Sequence, residues 1–151
     1  MSKRAPKTVR IFTIGFTEKS AEGFFAALKS AGVRRVLDIR LKPNSQLAGF
    51  AKKRDLPYFL GLIGIAYAHA PELAPTKELL EGYREKKIAW NEYEKIFPGV
   101  LAERDALSRF RPEDLDGACL LCSEVEADHC HRRLVAEAFR EKWGGVEIVH
   151  L

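Results

Sequence analysis

An α/β fold is what this sequence predicts: one five-stranded, mainly parallel sheet with helices on both faces. Two observations lead there. Short apolar segments alternate with stretches of helical period along the chain. One of those segments, Ala118 to Cys122, is apolar throughout, which suits a strand buried on both faces. No repeat, low-complexity tract or domain-scale linker divides the 151 residues. A chain of that length builds a full core without disulfides. Residues 1–8 read as a flexible basic N-terminus and residues 9–151 as a single α/β domain.

The first strand runs from Val9 to Ile14 and stops at Gly15. Ser20 then has the chemistry of an N-cap, and Glu22 suits the positive first turn of a helix. Ala21, Phe24, Phe25 and Leu28 fall on one helical face, and Gly32 is a natural stop. A second strand covers Arg35 to Ile39. Leu41 to Arg54 shows no period and reads as a long basic loop. A short helix near Leu56 to Ile63 follows, with Asp55 as its cap, and then a third strand from Ile65 to Ala68.

Thr76 opens a polar helix to about Lys87. Asn91, with Glu94 three residues on, resembles a capping box for the next helix, which Pro98-Gly99 is expected to break or kink. A further helix reaches about Phe110, and Arg111 to Gly117 reads as a loop. After the fourth strand, Ala118 to Cys122, a helix from about Cys130 ends at Trp143 before Gly144-Gly145. Val146 to Val149 is the fifth strand.

Composition narrows the function classes. Residues 1–60 carry 13 basic and 4 acidic side chains, and residues 61–151 carry 12 and 17. The basic first part suits an anionic partner, and a solvated surface explains it equally well. No apolar run reaches the roughly 18 residues that cross a bilayer, so no membrane partner is expected. The basic N-terminus lacks the apolar stretch of a signal peptide, and three cysteines make no disulfide framework. A cytoplasmic protein is the expectation. Dinucleotide, P-loop, serine-hydrolase and zinc-protease motifs do not occur.

In parallel sheets ligands bind outside the carboxyl ends of the strands. The unusual polar residues fall there: Thr17 after the first strand, Asp38 and Arg40 after the second, His69 and Glu72 after the third, Glu124 after the fourth. Asp38 with Arg40 is a ligand-binding pair or a plain ion pair. His69 is a ligand contact or a hydrogen-bonded core histidine. Glu72 and Glu124 are the general-base candidates, since a desolvated carboxylate has a raised pKa.

Cys130-His131-Arg132 opens the last helix. There a thiol faces unpaired N–H groups and two cationic neighbours, so Cys130 reads as a nucleophile, as part of an anion site with His131 and Arg132, or as a packing residue. Arg132, in a first turn, is expected to contribute little to the core. A zinc reading of Cys122 and Cys130 with His129 or His131 is set aside. The spacing is wider than that of structural knuckles, and no second pair completes four ligands. Neither a metal nor a cofactor is therefore expected. Cys119 reads as core.

Five segments resemble, in order, the domain of unknown function 488 family. They are Thr13-Ile14-Gly15-Phe16-Thr17, Leu37-Asp38-Ile39-Arg40, Tyr67 to Leu73, Leu121-Cys122-Ser123-Glu124 and Cys130-His131-Arg132-Arg133-Leu134. Phe16 stands where members of that family commonly show His. The resemblance implies a compact α/β domain and no settled activity. The sequence thus points to a polar cleft at the strand ends that binds a small anionic or nucleotide-like ligand, with catalysis by Cys130 or Glu72. The alternative is a nucleic-acid-binding accessory protein that uses Lys42, Lys52, Lys53 and Arg54.

Overall fold

A computed structural model of the chain describes residues 8–43, 49–123 and 129–151. Its sheet has five strands: β1 (Val9–Gly15), β2 (Arg35–Asp38), β3 (Ala66–His69), β4 (Ala118–Cys122) and β5 (Val146–His150). They lie in the order β3-β2-β4-β1-β5, and every neighbouring pair is parallel. Among the described residues six α-helices connect them: α1 (Ala21–Ala31), α2 (Leu56–Leu62), α3 (Lys77–Arg84), α4 (Trp90–Arg104), α5 (Pro112–Leu115) and α6 (His131–Trp143). The predicted α/β class and the single-domain architecture are both observed.

The two faces follow from strand alternation. Cys119 and Leu121 of β4 join Phe24 and Leu28 of α1 and Leu56 and Leu60 of α2. Ala118 and Leu120 point the other way, toward Phe97 and Leu101 of α4 and Val135 and Phe139 of α6. β4 is buried along its whole length, as its unbroken apolar run requires.

Local signals set several boundaries. Ser20 caps α1 by accepting from the Gly23 amide at 3.0 Å, and Gly32 closes it in the left-handed region at φ 76°. Thr76 caps α3 through the Leu79 amide. Asp55 holds the cap position of α2, yet its side chain makes no capping bond and pairs with Arg54.

Three expectations fail. α4 runs unbroken through Pro98, because Tyr93, Phe97 and Leu101 sit at i, i+4 and i+8 and are all buried. Burying three such side chains is worth about 1.5–3 kcal/mol each, more than the roughly 3 kcal/mol of an interior proline. Asn91 does not cap that helix. It lies inside the first turn, and Glu94 pairs with Arg133 of α6 at 3.2 Å instead of reaching back. Residues 111–117 hold α5, with Pro112 in its first turn and Asp114 accepting from the Arg111 amide at 2.8 Å. The expected N-terminal tail and the middle of the 41–54 loop fall on residues 1–7 and 44–48, outside the described residues.

Burial pushes the Cys119 thiol well above its ordinary value. The folded protein therefore keeps a proton that the unfolded chain releases near pH 8.5. The stability this burial supports is fully present below that pH and is lost as pH rises above it, by about 1.4 kcal/mol per unit for one thiol. Cys119→Val should remove that slope. Urea midpoints from pH 7 to 10 check it: the gap between variant and wild type should widen in favour of the variant above about pH 8.5, and parallel curves would show that Cys119 ionises in the folded state.

Candidate functional site

β2 and β4 are neighbours, but the chain leaves them in opposite directions. After β2 it passes to α2 on one face, and after β4 to α6 on the other. Their carboxyl ends form a switch point of the sheet, and a crevice opens there. The Ile39 amide donates to the Leu121 carbonyl at 3.1 Å and is the last rung between them. Arg40 and Cys122 stand just beyond it.

Asp38 and Arg40 are both buried, and they meet in a two-pronged contact. Arg40 Nε donates to Asp38 Oδ1 at 2.8 Å and Nη2 to Oδ2 at 2.7 Å. Nη2 also donates to the Ala51 carbonyl at 2.5 Å, and the guanidinium lies 5.4 Å from the centre of the Phe16 ring. Tyr67 donates its hydroxyl to Asp38 Oδ2 at 2.6 Å. Burial, and then the adjacent Asp38, push the Tyr67 hydroxyl well above the usual phenol range. Phe16 thus supplies a ring face to the cation.

Two histidines hold the backbone that carries this pair. His69 Nε2 donates to the Arg40 carbonyl at 2.9 Å, and His131 Nε2 donates to the Ile39 carbonyl at 2.8 Å. A carbonyl only accepts, so Nε2 carries the proton in both rings. His131 Nδ1 then faces Cys122 Sγ at 3.2 Å. Cys130 occupies the N-cap of α6, and Cys122, Cys130 and His131 are buried with their donor atoms all within 4.8 Å of one another.

The far wall of the cleft comes from α3 and α4. Leu80, Tyr83 and Arg84 line it from α3, and Trp90 and Tyr93 from α4. Trp90 stacks on Tyr93 at 4.9 Å, and the His129 ring lies 5.3 Å from it. Lys42 and Lys77 add two cations, and among the described residues Glu81 is the one acidic residue of the lining. The cavity has a volume of about 170 Å³. Arg40 Nη1 and Trp90 Nε1 are buried without a hydrogen-bond partner among the described residues, and both residues line this cleft.

The expected site residues divide. Arg40, Cys130 and His131 line the cleft, and Asp38 stands behind Arg40. His69 acts on the backbone beside them. Glu72 does not share the cleft: its carboxylate lies 3.9 Å from Arg109, and its carbonyl accepts from Arg104. Thr17 is exposed and meets the site only through its amide, which donates to the Ser123 carbonyl. Glu124 lies outside the described residues.

Two expectations at α6 need correcting. Burial, and then the neighbouring Cys122, push the Cys130 thiol well above its ordinary value, so the helix start does not make it a ready thiolate. Arg132 is no expendable first-turn residue. It is among the largest fully buried side chains and donates from Nε to Thr13 Oγ1 at 3.2 Å, on the β1 side of the helix. The α3 and α4 walls escaped the sequence reading. The aromatic spacing of Tyr83, Trp90 and Tyr93 was their one signal.

The family model described as a domain of unknown function, DUF488, matches residues 20–139. No curated protein matches the chain, and no solved structure does.

Leaving Arg40 buried without its carboxylate should be severe. Asp38→Asn is expected to lower stability by about 3–5 kcal/mol, and adding Arg40→Met should restore much of that loss. Urea denaturation of the single and double variants checks this. A double variant no more stable than Asp38→Asn would show that the pair is not the unit that matters.

Proposed function

The chain belongs to the DUF488 family, and from the cleft at its β2/β4 switch point we propose that it binds a small anionic or nucleotide-like ligand. One observation carries the reading. Of the described residues, two buried side-chain nitrogens lack partners, both are donors, and both belong to the lining of one cleft. A buried donor without an acceptor costs about 1–3 kcal/mol, and more when it is charged. Two such donors, on residues that both line one cavity, fit a ligand rich in acceptor oxygens.

Charge and shape agree with this. Among the described residues, four cationic side chains line the cleft, Arg40, Lys42, Lys77 and Arg84, against Glu81. Asp38 already answers two nitrogens of Arg40, so Nη1 is the one left for a ligand. Tyr83, Trp90 and Tyr93 offer aromatic surface beside these donors. The volume of about 170 Å³ is below the roughly 300–1,000 Å³ of drug-sized sites. A phosphate or carboxylate group fits inside, and a mononucleotide would leave part of itself at the mouth.

The reading gives Cys130 no role as a nucleophile, because its buried thiol favours the protonated form. It gives Glu72 no role as a base, because its carboxylate faces Arg109. Nucleic-acid binding through Lys52, Lys53 and Arg54 would rest on charge alone.

Calorimetry with inorganic phosphate and with a mononucleotide tests the proposal. Trp90→Phe keeps the apolar wall and removes one donor. It should weaken binding about 10- to 100-fold, the equivalent of a hydrogen bond to a charged group at roughly 1.5–3 kcal/mol. Lys52→Ala with Lys53→Ala should change it less than about twofold, as surface charges outside a contact do. No binding of either ligand to wild type, with salt-dependent binding of oligonucleotides that the lysine pair controls, would replace this reading with the nucleic-acid one.

A further inference from the structure

We infer that Cys122, Cys130 and His131 form a site for a soft divalent metal ion such as Zn²⁺, with its fourth coordination position open to the cleft. The inference rests on the ligand reading of the cleft and deepens it, since the open position is where the anion would coordinate. Four features support the site: the donor set, its spacing, the histidine tautomer and its position.

Two thiols and an imidazole are the donors that zinc takes in Cys₂His sites, and thiolates select it over magnesium or calcium. At ordinary zinc bond lengths, tetrahedral donors stand about 3.8 Å apart between sulfurs and about 3.6 Å apart between sulfur and nitrogen. Here the three donor atoms lie within 4.8 Å of one another, and Cys122 Sγ and His131 Nδ1 are already at 3.2 Å. Closure onto an ion therefore asks for changes of about an ångström or less in these separations.

The tautomer is set independently of the cysteines. His131 Nε2 donates to the Ile39 carbonyl at 2.8 Å. In the neutral ring this leaves the lone pair on Nδ1, the atom that faces Cys122. A ring nitrogen that donates to a backbone carbonyl while the other binds metal is the usual outer-shell arrangement of metal-bound histidine. His131 also follows Cys130 directly, with Cys130 at the cap of α6 and His131 as the first helical residue. That turn brings adjacent residues to one point, which a search for spaced ligand pairs overlooks.

Position supplies the open side. All three ligands line the cleft that Arg40 and Trp90 also line. Three protein donors and one position facing a cavity is the pattern of zinc that binds an exogenous ligand, as opposed to a closed structural site. Binding is a displacement without redox change. Each thiol passes its proton to solvent as its sulfur takes the metal, and two thiolates balance the ion's two charges.

Cobalt titration of the reduced, metal-free full chain tests this, with Co²⁺ as the probe. One equivalent should bind, with sulfur-to-cobalt charge-transfer absorption and the strong visible bands of tetrahedral cobalt, and Zn²⁺ should displace it. Cys122→Ser and Cys130→Ser should each weaken binding by more than the roughly 10- to 100-fold typical of a lost outer-shell partner. Cys119→Val should leave it unchanged. Far-UV circular dichroism reports whether each variant folds, and the wild-type spectrum decides even where one does not. Phosphate added to the cobalt form should shift the visible bands.

The failures are distinguishable. Absence of charge-transfer absorption, with phosphate still bound calorimetrically, would overturn the metal site and leave the anion reading standing. A thiolate-cobalt spectrum that ignores phosphate, in a protein that binds no phosphate by calorimetry, would overturn the open position together with that reading. Spectral binding that survives loss of Cys122 and Cys130 would place the ion elsewhere and overturn the assignment.

Discussion

Arginine does not shed its charge, so a guanidinium 2% exposed to solvent must be answered inside the protein. Asp38 answers Arg40 with two near-parallel hydrogen bonds, and the surroundings of the cleft are organised by that pair. Tyr67 fills a lone pair of the carboxylate, Phe16 offers its ring face, and the Ala51 carbonyl accepts a further hydrogen bond from Nη2. The contact holds the two residues that follow β2 in a fixed path. His69 and His131 then secure the carbonyls of Arg40 and Ile39 from two different elements. One charged pair, buried at a strand end, thereby couples β2, β3 and α6.

The architecture explains why this happens here. Between β2 and β4 the chain parts, toward α2 and α6, and the cleft lies at the gap between their ends. α3 and α4 roof the gap with an aromatic wall and a cationic rim. The cleft is therefore a product of topology, and its chemistry comes from the residues that topology strands there.

The sheet was legible because its signals are local. The β4 run, the Ser20 and Thr76 caps and the Gly32 stop each act over a few residues and coincide with the structure. Arg40, Cys130 and His131 were legible as cleft residues because strand ends and helix starts can be read from pattern. What pattern does not carry is the direction in which a side chain leaves its element. Arg132 and His131 are neighbours, yet His131 turns to the cleft and Arg132 to Thr13. Glu72 follows β3 as expected, but the three-residue turn Pro71–Leu73 presents its carboxylate toward Arg109. Pro98 argued locally for a break, and three buried side chains spaced four apart overruled it. The cleft wall depends on α3 and α4 folding back over the sheet, a long-range event with no marker in either segment.

The central proposal is that the cleft lined by Arg40 and Trp90 binds an acceptor-rich anion. The chain has two tryptophans, Trp90 and Trp143, so its indole N–H region holds two signals, and Trp143 at the end of α6 serves as an internal reference. Nitrogen-15 NMR during titration with inorganic phosphate reads both groups at once. The account predicts that the Trp90 indole and the Arg40 guanidinium signals move together along one saturation curve while Trp143 stays in place. Saturable shifts elsewhere in the protein, with Trp90 and Arg40 unmoved, would contradict it.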